Sequence, residues 1–178
     1  MNTLSYGLLS LLNRNSRTGY ELMQHIQPFW QAKHSQIYPL LAQLEQKGHV
    51  QFVHVPQSDK PDKKVYSLTE LGREALRQWI LKPTDEPVTR DELMLKVYCI
   101  GLVDRDQARK VIEDREVFYR QRLLKFEKSY EQLQQNCEKR LDELGLQDPQ
   151  FSHYVLLHKA LARVKGDLAW CDWVKAKL

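Results

Sequence analysis

The sequence has few residues that interrupt regular structure, with only seven Gly and seven Pro in 178 positions. That scarcity argues against a loop-rich scaffold or a low-complexity tail. A content of 42% hydrophobic and 28% charged residues suits a helix-rich globular protein instead. The three cysteines, Cys99, Cys137 and Cys171, are odd in number and far apart, so they do not make a disulfide framework. Set among apolar neighbours, they read as reduced, buried thiols. No apolar run approaches the roughly 20 residues that span a bilayer. The start, Met1-Asn2-Thr3-Leu4-Ser5, has no basic stretch ahead of a long apolar core, so the chain reads as cytoplasmic. Cys-x-x-Cys, His-x-x-x-His and a glycine-rich phosphate loop are also missing, and the histidines are scattered. The chain therefore reads as a non-enzyme with no metal and no cofactor.

What is present is unevenly distributed. The net charge of +4 belongs wholly to residues 1–82, which carry ten Lys/Arg against six Asp/Glu, while residues 83–178 carry seventeen of each. The first half also holds four of the six histidines. Localised positive charge is what a polyphosphate partner requires, because counterion release supplies much of the binding free energy.

The first half alternates between helical and strand periods. Leu4, Leu8, Leu9, Leu11 and Leu12 predict an amphipathic helix over 4–12 with Thr3 as N-cap. After a polar turn over 13–17, Thr18 caps a second helix to about Gln27. Its apolar side holds Tyr20, Leu22, Met23 and Ile26, and Pro28 ends it. His34 to Lys47 reads as a third helix, with Ile37, Leu40, Leu41 and Leu44 on one face and Gly48 as its stop. Pro39 lies close enough to its start to be tolerated with a small kink. Val50–Val55 and Lys63–Leu68 then read as strands joined by a polar loop over 56–62, a β-hairpin. Thr69 caps a fourth helix to about Leu81, carrying Leu71, Ala75, Leu76, Trp79 and Ile80. Three helices, a hairpin and a linking helix make a winged helix-turn-helix.

Lys82-Pro83-Thr84-Asp85-Glu86-Pro87 begins a linker over 83–90, and residues 91–178 read as helical. One helix is expected over Asp91–Leu102. From Asp104 to Leu144 no Gly or Pro occurs, and Tyr119, Leu123, Phe126, Tyr130, Leu133, Cys137, Leu141 and Leu144 recur at spacings of three and four. Asp148-Pro149 opens a last helix with Tyr154, Leu157, Leu161, Val164, Leu168, Cys171 and Val174 in the same rhythm. An intramolecular antiparallel pair would use part of this seam. A single helical hairpin would still leave much apolar surface wet, so a homodimer through coiled-coil-like helices is the expectation. The fold class is mainly α with a small β-hairpin: residues 1–82 a winged helix-turn-helix, residues 91–178 a helical dimerisation domain.

Recognition helices of this kind present their N-terminal side chains to base edges in the major groove of double-stranded DNA. The third helix opens with Lys33, His34, Ser35, Gln36 and Tyr38. Gln36 can bridge adenine, Ser35 can pair with several bases, and Tyr38 can reach a phosphate or a thymine methyl, with Lys33 and His34 beside the backbone. The competing reading is a solvated helix start with Ser35 as N-cap. In the hairpin, Lys60, Lys63 and Lys64 are placed for phosphate or minor-groove contact, although Asp59 and Asp62 dilute them.

The stretch Phe29-Trp30-Gln31-Ala32-Lys33-His34-Ser35-Gln36-Ile37-Tyr38-Pro39-Leu40-Leu41, followed by Leu44 and Gly48, resembles the PadR family of transcriptional regulators. So do Tyr66-x-Leu68-Thr69-x-x-Gly72, Asp91-Glu92-Leu93-Met94-Leu95-Lys96-Val97-Tyr98 and Phe151-x-His153-Tyr154, so that the resemblance covers nearly the whole chain. It implies a homodimeric repressor on a palindromic operator, dimerised by the C-terminal helices. The Phe-Trp-x-Ala-Lys-His-Ser-Gln run and the His-Tyr pair are most similar to the branch that hydroxycinnamic acids release from DNA. A phenolic-acid pocket needs an aromatic wall and a few polar groups, which Trp30, His34, Tyr98, His153 and Tyr154 could supply, with Lys96 balancing the carboxylate. Control by a protein partner, or a winged helix used only for protein–protein assembly, are the competing readings.

Overall fold

A computed structural model describes residues 1–27, 30, 32–56, 62–87 and 90–178. Pro28, Lys60 and most of the hairpin loop lie outside the described residues. The chain divides into two compact units, Met1–Pro87 and Val88–Leu178.

In the first unit, α1 (Thr3–Leu12) is capped by Asn2, whose side chain accepts from the Ser5 N–H, so Thr3 is the first helical residue and not the cap. The strand β1 (Arg17–Thr18) leads directly into α2 (Gly19–Ile26), which starts with a capping box between Thr18 and Glu21. α3 (His34–Gln46) follows, with Lys33 at its N-cap and Gly48 beyond its end at φ +72°, a conformation glycine adopts without strain. The N-cap is therefore not Ser35. β2 (Val50–Val55) and β3 (Lys63–Leu68) pair antiparallel with Phe52 opposite Tyr66 and His54 opposite Lys64. α4 (Glu70–Ile80) closes the unit, its N-cap Thr69 accepting from the Gly72 N–H.

The sheet has three strands in the order β1-β3-β2, because Arg17 and Thr18 pair with Tyr66 and Val65. A two-residue strand has no detectable period, and the expected polar turn over 13–17 is shortened by it. Leu8, Leu9, Leu22, Ile37, Leu41, Leu44 and Val50 are the buried centre. Tyr20, Leu71 and Ile80, expected on apolar faces, are exposed. α2 is only two turns long and its apolar needs are met by Leu22 and Ile26.

In the second unit Asp91 caps α5 (Glu92–Tyr98), and a 3₁₀ turn over Ile100–Leu102 follows instead of a continuous helix to 102. Cys99 and Leu102 donate three residues back, to Lys96 and Cys99, and Gly101 gives no support to α-helix there. α6 (Arg105–Gln135) and α7 (Phe151–Lys175) run antiparallel: Tyr130 meets Tyr154 at one end, and Glu116 pairs with Lys175 at the other.

α6 stops nine residues before the expected end at Leu144. Asn136 donates to the Gln132 carbonyl, and the Gln134 side chain holds the reversing segment by bonds to the Lys139 carbonyl and the Leu141 N–H. α7 has only 25 residues. A straight helix to 144 would carry Leu141 and Leu144 past its end, whereas folding back buries both against Leu133 and Leu157. The three-and-four spacing continued through a segment that is not helical. The thiols also differ from expectation: Cys171 is buried, Cys137 half-buried and Cys99 exposed. No helix among the described residues is long and apolar enough to cross a membrane.

Candidate nucleic-acid interface

The first unit offers one surface with the chemistry expected of a DNA reader, the N-terminal turn of α3. Ile37, Leu41 and Leu44 lock the helix into the core on one side. Lys33, His34, Ser35, Gln36 and Tyr38 are exposed on the other. The turn is internally ordered. Gln36 accepts from the Lys33 N–H at 3.0 Å through its side-chain carbonyl oxygen. A bidentate contact with adenine needs that oxygen as well as the amide NH₂, so Gln36 reads adenine only by giving up this bond.

His34 and Tyr38, one helical turn apart, stack with centroids 6.1 Å apart and planes 8° from parallel. Tyr20 on α2 lies 6.5 Å from His34 at 28°. Tyr20 is 54% exposed and Tyr38 47%. Burial pushes the neighbouring Tyr66 phenol upward, and Glu45 and Tyr38 add to the shift. Tyr20 was not legible as part of this surface, because a tyrosine at an apolar-phase position of a helix reads as core. The signal available was its immediate neighbour Gly19 at a helix start.

Lys63 and Lys64 are adjacent on β3 and therefore point to opposite faces of the sheet. Lys64 shares its face with Phe52 and His54: its ammonium sits 3.8 Å from the Phe52 ring centroid, a cation–π contact, and His54 meets the same ring edge-on at 5.2 Å. Lys63 lies on the opposite face near Glu21. The Glu21 carboxyl is held below its usual range chiefly by the Thr18 backbone N–H and hydroxyl, with Lys63 and Arg17 adding to the effect. Lys60 lies outside the described residues.

The six effector candidates are divided between the units. Trp30 and His34 are exposed in the first. In the second, Lys96 is ion-paired to Glu92 at 2.7 Å, and Tyr98 is 94% exposed. His153 is exposed, while Tyr154 packs on Tyr130 and His158. α5 packs through Leu93 on Cys171 and Val174, near the end of α7 opposite to His153 and Tyr154. From Tyr154 to Cys171 the helix rises about 25 Å, so within one protomer the unit does not bring Lys96 and Tyr98 together with His153 and Tyr154. Lys96 instead lines a groove of about 500 Å³ with Leu93, Val111, Arg115 and Phe118. The Arg115 guanidinium there is already bound to Asp91 through both terminal nitrogens.

The chain is similar to known transcriptional regulators over its whole length. The family model described as "Transcriptional regulator PadR-like family" matches residues 8–78, and "Virulence activator alpha C-term" matches residues 89–178. The negative transcriptional regulator PadR of Bacillus subtilis is 34% identical over 183 aligned positions, covering 100% of this chain and 98% of that protein. The crystal structure of B. subtilis PadR in complex with operator DNA matches with a TM-score of 0.86 at 33% identity, over 99% of each chain. The structure of the same protein in complex with p-coumaric acid matches with a TM-score of 0.80 at 32% identity, over 98% of this chain and 94% of that one.

Proposed function

This chain belongs to the PadR-like family of transcriptional regulators, and we propose that it is a DNA-binding repressor, working as a homodimer on a palindromic operator. The observation that carries the reading is the first turn of α3, polar and exposed on a helix whose other face is locked in the core. Two such helices enter successive major grooves roughly 34 Å apart. Residues 1–82 are the DNA-binding part, 83–90 the linker and 91–178 the dimerisation and response part. Lys33, His34, Ser35, Gln36 and Tyr38 face the major groove; Lys60, Lys63 and Lys64 serve the wing, with Lys63 and Lys64 contacting phosphates on different sides of the hairpin. Dimerisation through the second unit is supported by the apolar residues its own hairpin leaves exposed, Val117 and Leu124 on α6 and Val155 and Trp173 on α7. Each pair lies on one helical stripe. The protein acts in the cytoplasm and carries out no chemistry on its ligand.

The repressor is released by a small aromatic acid of the phenolic class. The likeness to a relative crystallised with p-coumaric acid supports this. Gel shifts on the DNA upstream of the chain's own gene test both parts. Binding should weaken steeply with salt and with Tyr38→Ala, and indifference to both would remove the DNA reading. Addition of p-coumarate or ferulate should release the DNA. If millimolar acid leaves the complex intact, the effector reading fails while the repressor reading stands.

A further inference from the structure

Tyr38 owes its place to the residue at the start of α2. An ideal Cβ added to Gly19 would stand 2.8 Å from Tyr38 Cε1, 3.2 Å from its Cζ and 3.4 Å from Leu41 Cδ1. The φ of Gly19 is not positive, so its backbone conformation does not call for glycine. At the first position of a helix, alanine would be the better former. The missing side chain serves the ring, which lies against the α2 backbone. The same ring stacks on His34, and His34 stacks on Tyr20, the residue next to Gly19.

We propose that Gly19 is a positioning residue of the DNA interface: by seating the Tyr38 ring it lets Tyr38, His34 and Tyr20 present one pre-ordered aromatic surface to the operator, with Tyr20 as a further contact. The inference rests on reading α3 as the recognition helix. Its physical logic is that a ring already held in its bound orientation loses little rotamer freedom on association. Phenol hydroxyls donate to phosphate oxygens, and ring edges pack on thymine methyls. A methyl at position 19 displaces a side chain and not a backbone segment, so the fold survives while the ring moves.

The test is fluorescence anisotropy with full-length protein, using the upstream operator and a scrambled duplex of equal length, alongside thermal melts. Gly19→Ala should weaken operator binding roughly ten-fold, the scale of one lost specific contact. Its Tm should be equal or higher, and scrambled-duplex binding should fall by less than operator binding. In a Tyr38→Ala background, Gly19→Ala should cost nothing further, because the ring it displaces is gone. Tyr20→Ala should weaken operator binding in the same assay. Unchanged operator binding by Gly19→Ala overturns the proposal, and so does an additive loss in the double variant. If Gly19→Ala lowers Tm, recovery in the double variant keeps the ring as the cause, and no recovery overturns it. Wild-type binding with no effect of Tyr20→Ala removes Tyr20 from the surface. Failure of the wild type to prefer the operator would refute the underlying DNA reading, an outcome distinct from all of these.

Discussion

Gly72→Ala should loosen the junction where the recognition helix, the wing and the linking helix meet, although helix propensity alone predicts the opposite. Gly72 lies in the first turn of α4, where alanine gains about 1 kcal/mol over glycine. A Cβ there would fall well inside the contact distance of the His49 carbonyl oxygen, and 2.7 Å from Leu68 Cδ1. Leu68 can rotate, but the His49 carbonyl is backbone in the turn between α3 and β2. It cannot move alone, because it accepts from the Thr69 N–H at 3.1 Å. Backing α4 away stretches that bond and the bond from the Thr69 hydroxyl to the Gly48 carbonyl at 2.6 Å, each worth about 1 kcal/mol. Overpacking of this kind costs about 1–3 kcal/mol. Set against the propensity gain, the middle of that range leaves a net loss of about 1 kcal/mol, which lowers Tm by roughly 6 °C in a unit of this size. Circular dichroism melts of wild type and Gly72→Ala measure it directly. An unchanged or higher Tm would refute the steric reasoning, since propensity alone would then decide the outcome.

Thr18→Ala removes the capping box of α2 and should lower the stability of the first unit by about 1 kcal/mol, read from the urea midpoint. Glu116 is buried between Lys175 and Arg120, and its carboxyl is held below the usual range first by the Lys175 bond and then by Arg120. Its contribution is therefore complete above the unfolded carboxylate pKa of about 4.3 and is lost as pH falls through the lower folded value. The Tm gap between wild type and Glu116→Gln should be open at pH 7 and close toward pH 3; a gap independent of pH would show that the charge is not the cause. Gly166 lies mid-helix in α7, and a Cβ added there would meet nothing within 4 Å on its own chain. Gly166 shares the stripe of Val155 and Trp173, so Gly166→Ala should lower Tm by crowding the partner helix that covers it, and a rise from the propensity gain of about 1 kcal/mol would show that nothing covers this face.

Much of this protein was legible in its sequence because the relevant physics is local. The period of Ile37, Leu41 and Leu44 defines a helix with one buried face, and the switch to alternation at Val50 and Lys63 marks the hairpin. Gly48, Thr18 and Thr69 mark ends, since cap geometry involves only neighbours along the chain. The uneven charge and the polar start of α3 followed from composition and order alone. Tertiary contacts decided the rest. β1 exists only because β3 passes beside Arg17 and Thr18. α6 ends at Gln135 because Leu141 and Leu144 gain burial by folding back on Leu133 and Leu157, a contact no periodicity encodes. Tyr20 turned from a core residue into a surface one because Leu22 and Ile26 already satisfied the short α2. The role of Gly19 was hidden for the same reason: a glycine at a helix start is unremarkable until a tyrosine nineteen positions later is found resting on it.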